Sequence, residues 1–282
     1  MPAADDLLLA SNNALHRAFK QNKAAYPRRS TYVQEHATFF QTPARGDSDP
    51  PAHRLTIGTD CSGMEAPLQA LANMKIPHDH LFSCDYDPFV QSTIRANFAP
   101  RTLFEDVLTR DNRKTPAVDV YVAGFPCQPF SVGGKQQGFA DEKGRGIIFW
   151  SIREYIDLKR PKIFILENVR GLTSLQQGHY AFQVLQSLRS IGSTVAITAQ
   201  GQNNSEKSGA YQIYHKVLNT RENGVPQQRE RWYCVGIRKS CLRVPQERQF
   251  QFPSSIPCPK LEDFLDVDDQ FASAESFHKS PL

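Results

Sequence analysis

A cysteine between two prolines is the most reactive arrangement in the sequence. Cys127 lies in the segment GFPCQPFS at 124–131, directly after the apolar run VDVYVA at 118–123. Prolines restrict the backbone on both sides of the thiol. A thiolate held in such a loop is a good nucleophile when cations or backbone donors lower its pKa. A buried, inert cysteine is the alternative interpretation, but the two prolines favour a nucleophile.

An acid and two arginines are the next candidates for chemistry. Glu167 directly follows the apolar run KIFIL at 162–166, and a carboxyl group in that position needs a partner or a ligand. Arg229 and Arg231 lie two residues apart in QQRER at 227–231, so on a strand they point to the same side. A salt-bridged strand entry and a contact to phosphate or base explain the two arginines equally well.

Polar residues that suit a nucleoside cofactor follow three earlier runs. Gly63, in TDCSGMEAP at 59–67, lets the backbone turn tightly and approach a ligand before a helix. Asp85 can accept both ribose hydroxyls, and Tyr86 can stack on an adenine. Asp106 can accept a hydrogen bond from an adenine amino group. Taken singly, each acid is better explained as a solvated loop residue or a helix cap. Their joint order favours the cofactor.

The elements that must position these residues follow a βαβ pattern from Leu55 onward. We predict strands at 55–59, 80–84, 118–123, 162–166, 211–219 and 231–237, with helices after Ala66, after Pro88, around 147–158 and around 180–190. The fold class is therefore α/β, with a doubly wound and mostly parallel sheet. Ligands of such sheets bind outside the carboxyl ends of the strands, which is where the candidate residues fall.

The remainder of the chain gives a domain division. We predict an N-terminal extension and linker at 1–54 with a short helix at 5–23, a catalytic domain at 55–240, and a C-terminal extension at 241–282. A polar loop is expected at 200–209.

Composition limits the class of protein. The net charge of +4 permits a polyanionic partner without requiring one. Six separated cysteines predict free thiols, a reducing compartment and no metal site. No apolar run reaches the roughly 18 residues that span a bilayer, and no secretory signal is recognisable, so we predict an intracellular protein.

Three segments in order, GFPCQPFS at 124–131, ENV at 167–169 and QQRER at 227–231, resemble the signature of the cytosine-5 DNA methyltransferase family over about 55–238. The resemblance implies the Rossmann-like fold of class I S-adenosylmethionine-dependent methyltransferases. It implies methyl transfer from S-adenosylmethionine to carbon 5 of cytosine in double-stranded DNA, through a covalent adduct with Cys127. Glu167 would be the catalytic acid, and Arg229 and Arg231 would lie near the target base and phosphate.

The resemblance also implies two sets of binding residues. The cofactor set is Asp60, Cys61, Ser62, Gly63, Met64, Asp85, Tyr86, Asp106, Val107 and Pro126. The substrate set is Gln128, Ser131, Asn168 and Gln227.

Two departures from the family pattern are visible. Glu65 stands where relatives usually have a glycine, and neither the target-recognition region nor the last two motifs is recognisable in 239–282. The chain is then either one part of a split enzyme, with target recognition on a second chain, or a truncated form. A transfer-RNA cytosine methyltransferase and a non-catalytic nucleic-acid-binding protein remain open as alternatives.

Overall fold

The computed structural model describes residues 54–126, 147–193, 209–242, 250–258 and 260–261. The chain divides into two compact units. The larger one comprises Arg45–Asn219 and Arg229–Ser254, and it contains the sheet. The smaller one comprises Met1–Ala44, Thr220–Gln228 and Ser255–Leu282. The helix predicted at 5–23 lies outside the described residues, as does most of the loop predicted at 200–209.

A seven-stranded sheet forms the centre of the larger unit. Its strands are β1 (Leu55–Asp60), β2 (His78–Cys84), β3 (Thr102–Phe104), β4 (Val120–Ala123), β5 (Ile163–Val169), β6 (Tyr211–Asn219) and β7 (Glu230–Arg238). Their order is β3-β2-β1-β4-β5-β7-β6. The first five strands are parallel, and β7 is antiparallel to both β5 and β6. The predicted doubly wound, mostly parallel fold is confirmed.

Helices join the parallel strands. They are α1 (Ala66–Asn73), α2 (Pro88–Asn97), α3 (Ile148–Lys159), α4 (Gly171–Ser174) and α5 (His179–Arg189). Short 3-10 helices occupy Leu175–Gly178, Thr220–Glu222 and Lys239–Cys241. The main core packs apolar residues of α3 and α5 against the sheet: Phe149, Ile152, Ile156, Val184 and Leu188 against Tyr121, Phe164, Leu166 and Trp232.

Two glycines allow a phenylalanine ring of the neighbouring strand to pack directly against the backbone. Gly58 pairs with Phe82 across β1 and β2, and Gly236 pairs with Phe164 across β7 and β5. A methyl group at either glycine would come within 2.1 Å of the opposing ring. Only glycine therefore fits under these rings, and the strands that carry the site are packed at close range.

The antiparallel direction of β7 brings its first residues to the same edge as the carboxyl end of β5. Register places Glu167 opposite Tyr233 and Val169 opposite Arg231. The carboxyl ends of β1 to β5 and the amino end of β7 therefore meet at one edge of the sheet, which is the edge predicted to bind ligands.

Candidate active site

The segment that leads to the predicted nucleophile is held on two sides. After β4, the backbone amide of Gly124 donates to the Asp60 carbonyl at 3.1 Å. The buried side-chain amide of Asn168 donates to the Phe125 carbonyl at 3.2 Å. A methyl group at Gly124 would lie 3.1 Å from the Cys61 carbonyl oxygen and 3.6 Å from the Glu167 carboxylate. The chain therefore passes between the loop after β1 and the acid at the end of β5.

Three predicted residues on this segment lie outside the described part of the chain. They are Cys127, Gln128 and Ser131. The structure describes the approach to them as far as Pro126, which is partly buried. The positions of the nucleophile and of these two substrate residues stay predictions.

The described cysteines near this edge are poorly suited to act as nucleophiles. Burial is the main cause that raises the pKa of the Cys61 and Cys84 thiols, and nearby Asp60 raises it further. Burial also raises the pKa of Cys234 to about 12. Thiols with such pKa values stay protonated at neutral pH. None of these three is an activated thiol.

Glu167 forms an ion pair with Arg231 across β5 and β7. The Arg231 Nε lies 3.0 Å from the Glu167 Oε1, and the two side chains are 22% and 29% exposed. Burial raises the pKa of Glu167, and the positive charges of Arg231 and Arg229 partly oppose this rise. A carboxyl group with a raised pKa keeps its proton more readily, as a general acid must. The two arginines act on the same carboxylate, as their predicted common orientation requires.

Asn168, which is predicted to contact substrate, has internal partners for its side chain. Its side chain is buried, donates to the Phe125 carbonyl, and accepts from the Val169 amide at 2.8 Å. Successive residues of a strand point to opposite faces, so Asn168 points into the core while Glu167 points out of it. Asn168 thus holds the Phe125 carbonyl on the segment before Cys127, and its predicted contact with substrate stays a prediction. Gln227, also predicted to bind substrate, is exposed in the smaller unit.

The loop after β1 has open space beside the Cα of Gly63. Cys61, Gly63 and Glu65 have φ values of 51°, 58° and 56°, a left-handed conformation that favours glycine. A methyl group at Gly63 would meet no atom within 4 Å. The Ser62 hydroxyl is buried and has no hydrogen-bond partner among the described residues. Open space and an unpartnered hydroxyl fit a ligand at this loop.

The loop after β2 lies against the loop after β1. The Asp85 carboxylate accepts from the Gly63 amide at 3.3 Å and from the Asp87 amide at 3.1 Å. Tyr86 is 81% exposed and Met64 is 74% exposed. Each oxygen of Asp85 accepts one amide bond here and retains further acceptor capacity. These residues fit the ribose and adenine of a nucleoside cofactor.

Asp106 follows β3 at the same edge. Its carboxylate accepts from the Leu108 amide at 2.9 Å, and its carbonyl accepts from the Arg110 amide at 3.1 Å. Val107, the next residue, belongs to the buried core. The side chain of Val107 therefore packs in the core, and its predicted contact with the cofactor stays a prediction.

Asp60, which is predicted to bind cofactor, has internal partners for its side chain. Its carboxylate is fully buried. It accepts two bonds from Arg110, at 2.5 and 2.7 Å, and one from the Tyr121 hydroxyl. The side chain is thus committed to internal partners and is not available to a cofactor. The sequence shows no sign of this role, because Arg110 lies fifty residues away.

Glu65 is the residue that departs from the family pattern. Its side chain points from the loop after β1 toward Thr59 in β1 and Ser83 in β2. Its Oε1 accepts from the Thr59 hydroxyl at 2.7 Å and from the Ser83 hydroxyl at 2.6 Å, and the side chain is fully buried. Its backbone keeps the left-handed conformation that suits a glycine. Glu65 therefore does not block the open side of the loop.

The described residues contain no group of three or more acidic, histidine or cysteine side chains that could hold a metal ion. Within the same ranges, no helix is long and apolar enough to cross a membrane.

The comparisons with known proteins agree with this geometry. The family model of C-5 cytosine-specific DNA methylase matches residues 59–278. Type II methyltransferase M.HaeII of Haemophilus aegyptius is 36% identical over 191 residues, 67% of this chain and 51% of the relative. Type II methyltransferase M.NgoBI of Neisseria gonorrhoeae is 37% identical over 208 residues, 72% of this chain and 57% of the relative.

This chain spans about half the length of these two relatives. A crystal structure of a DNMT2 variant from Spodoptera frugiperda covers 76% of this chain and 60% of its own, with a TM-score of 0.54 at 20% identity. It shows that the fold is of the Rossmann-like methyltransferase type. With the family model matching more than half of its residues, the chain belongs to the C-5 cytosine-specific DNA methylase family.

Proposed function

We propose that this chain transfers a methyl group from S-adenosylmethionine to carbon 5 of cytosine in double-stranded DNA. The observation that carries the proposal is the position of Gly124, which passes between the Cys61 carbonyl and the Glu167 carboxylate. A cofactor loop, an acid and the segment leading to Cys127 thus meet at one sheet edge. Methyl transfer to a base that is attacked covalently needs these three parts together.

The reaction follows from the roles of the side chains. The Cys127 thiolate adds to carbon 6 of the cytosine, while the Glu167 carboxyl group donates its proton to ring nitrogen 3. The electron pair of the ring then makes carbon 5 nucleophilic. When bound, S-adenosylmethionine would supply the methyl group that carbon 5 takes, and its sulfonium sulfur would leave as a neutral thioether. Loss of the carbon 5 proton to water then restores the double bond between carbons 5 and 6 and expels Cys127 as a thiolate. The proton on nitrogen 3 returns to the Glu167 carboxylate.

Burial and Arg231 have separate effects on Glu167. Burial raises its pKa, which keeps the carboxyl group ready to donate a proton. The 3.0 Å contact with Arg231 fixes the orientation of the carboxyl group. Arg229, exposed just before β7, is free to contact a phosphate of the DNA.

The cofactor is held by residues at the ends of β1 to β3. Asp85 accepts the ribose hydroxyls, Tyr86 stacks on the adenine, and Asp106 accepts from the adenine amino group. The remaining contacts come from the backbone and side chains of Cys61, Ser62, Gly63, Met64 and Pro126.

The target cytosine must leave the base stack to reach Cys127, as is general for chemistry on a base. Gln128, Ser131 and Gln227 are proposed to contact the DNA, and a second chain is proposed to supply target recognition. The protein then works in the compartment that holds DNA.

A covalent trap tests this function. Duplex DNA containing 5-fluorocytosine is incubated with the chain and labelled S-adenosylmethionine, because fluorine at carbon 5 prevents release of the thiol. Wild type should form an adduct that survives denaturation, and Cys127→Ser should form none. Cys258→Ser, which removes an exposed thiol in the smaller unit, should form it normally. An adduct that persists in Cys127→Ser, or one that forms on RNA alone, contradicts the proposal.

A further inference from the structure

We propose that a buried cluster, the Asp60 hub, positions two parts of the site relative to one another. The hub consists of Asp60, Arg110, Tyr121 and Asn112. The two parts are the cofactor loop, at 61–65 after β1, and the reactive segment, at 124–126 after β4. This inference rests on the proposed function, since it concerns the same site. None of the four residues needs to touch cofactor or DNA. They act as positioning residues through the main chain that they hold.

The hub joins four separate parts of the chain. Asp60 ends β1, Tyr121 lies in β4, and Arg110 follows the Asp106 turn. The Arg110 guanidinium donates to Asp60 at 2.5 and 2.7 Å and to the Asn112 side-chain oxygen at 3.2 and 3.1 Å. Asn112 in turn donates to α3, to the Ser151 carbonyl at 3.0 Å and the Glu154 carboxylate at 2.9 Å.

The four residues of the hub are buried. The side chains of Arg110 and Asp60 are 1% and 0% exposed. Three rings surround the guanidinium carbon, at centroid distances of 5.2, 5.3 and 5.5 Å for Phe82, Phe104 and Tyr155. Apolar residues of similar volume often stabilise a fold as well as a buried ion pair does. Stability alone is therefore a weak reason for this pair, and a fixed geometry is a better one.

Hydrogen bonds of the main chain connect the hub directly to the site. The Asp60 carbonyl accepts from the Gly124 amide at 3.1 Å, and the following residue, Cys61, donates to the Cys84 carbonyl at 2.8 Å. The Arg110 amide donates to the Asp106 carbonyl at 3.1 Å. A shift of Asp60 therefore moves the cofactor loop and the reactive segment together, and misplacing reactants by about 1 Å can cost about a hundredfold in rate.

Two tyrosine variants separate positioning from general stability. Tyr121→Phe removes the hydroxyl that donates to Asp60 and keeps the ion pair. Tyr211→Phe is the matched control, because the Tyr211 hydroxyl is also buried and donates to the Pro161 carbonyl at 2.8 Å. Tyr211 begins β6 and Pro161 precedes β5, so this bond lies at the opposite edge of the sheet. Each variant loses one buried hydroxyl and retains its ring.

The expected result is a difference in cofactor binding, transfer rate and amide exchange between the variants that remains after each is compared per folded molecule. Tyr121→Phe should weaken S-adenosylmethionine binding by about tenfold and slow single-turnover methyl transfer at saturating cofactor by about tenfold, since the lost bond ends on a charged acceptor. It should also speed hydrogen exchange at the Cys61 and Gly124 amides. Tyr211→Phe should change each quantity less than about twofold, as expected for a bond distant from the site.

The possible outcomes distinguish the hub from the proposed function. Equal effects of the two variants, or no effect of Tyr121→Phe on amide exchange and cofactor binding, overturn the hub. A wild type that binds cofactor but methylates RNA instead of DNA overturns the function, while binding and exchange still decide the hub. A wild type that binds no cofactor overturns both.

Discussion

Glu167→Gln should abolish methyl transfer without unfolding the protein. Glutamine keeps the shape of the side chain and an oxygen that can accept from Arg231, which lies 3.0 Å from the Glu167 carboxylate. It cannot donate a carboxylic proton to the base. General acid catalysis contributes about 10²- to 10⁴-fold, so the single-turnover rate should fall by that factor. The loss should appear in the rate at saturating cofactor and DNA.

The stability of Glu167→Gln should differ little from wild type at neutral pH. Burial raises the pKa of Glu167, so the folded state binds a proton that the unfolded chain has already released. Wild-type stability therefore decreases as pH rises from the ordinary glutamate pKa through the folded value. Glutamine does not titrate, and the variant should gain on wild type across that window. A partly exposed ion pair contributes at most about 1 kcal/mol, which limits the loss from breaking it.

Asp119→Asn is the matched control, because the pKa of Asp119 is lowered whereas the pKa of Glu167 is raised. Asp119 lies at the amino end of β4, accepts from Lys162 at 2.7 Å and from Thr56 at 3.0 Å, and is 15% exposed. Burial alone would raise its pKa, but the bonds from Lys162 and Thr56 outweigh this and lower it. The variant should lose about 1–3 kcal/mol at neutral pH, and this gap should close as pH falls through the low Asp119 pKa. Its transfer rate per folded molecule should be unchanged.

The assays are rapid-quench methyl transfer and urea unfolding followed by circular dichroism over a pH series. Two results would refute the reasoning. The first is a Glu167→Gln enzyme within tenfold of the wild-type rate. The second is an Asp119→Asn enzyme that slows as much as Glu167→Gln, since the rate would then follow stability and not the acid.

Three further predictions concern the same edge and its support. Arg231→Gln should raise the pKa of Glu167 further, because the arginine opposes the effect of burial; a carbon-13 titration of the carboxyl group measures this, and an unchanged titration contradicts it. Gly236→Ala should cost about 1–3 kcal/mol in urea unfolding, because the added methyl lies 2.1 Å from the Phe164 ring; no loss would show that the ring relaxes freely. Arg110→Met should cost about 3–5 kcal/mol, because it leaves a buried carboxylate without its counter-charge; a loss below about 1 kcal/mol would show that water reaches the cluster.

Much of the sheet could be predicted from the sequence because its strands are apolar runs bounded by polar residues. The structure contains strands at all six predicted places, with ends that differ by up to three residues. The strand β3 was missing from the predicted set, since Thr102–Phe104 has only three residues and shows no period. The reversed direction of β7 also escaped prediction, because an apolar run has the same pattern in either direction.

The sequence could predict site residues that directly follow a strand. It could not predict side chains whose role depends on a partner far away along the chain. Asp85, Tyr86 and Asp106 lie at the expected edge because parallel strands end there together. Asp60 also ends a strand, yet its carboxylate binds Arg110 and points away from any ligand. A local pattern gives the position of a carboxylate along the chain but cannot give the group that neutralises it.

The neighbours Glu167 and Asn168 show why one motif can carry both chemistry and support. Strand geometry sends them to opposite faces of the sheet. Glu167 meets Arg231 on the outer face, while Asn168 holds the Phe125 carbonyl in the core. The same strand end therefore fixes the acid and the segment leading to the nucleophile. We expect a change in either residue to alter the proposed methyl transfer: loss of Glu167 should remove a reacting group, and loss of Asn168 should displace one.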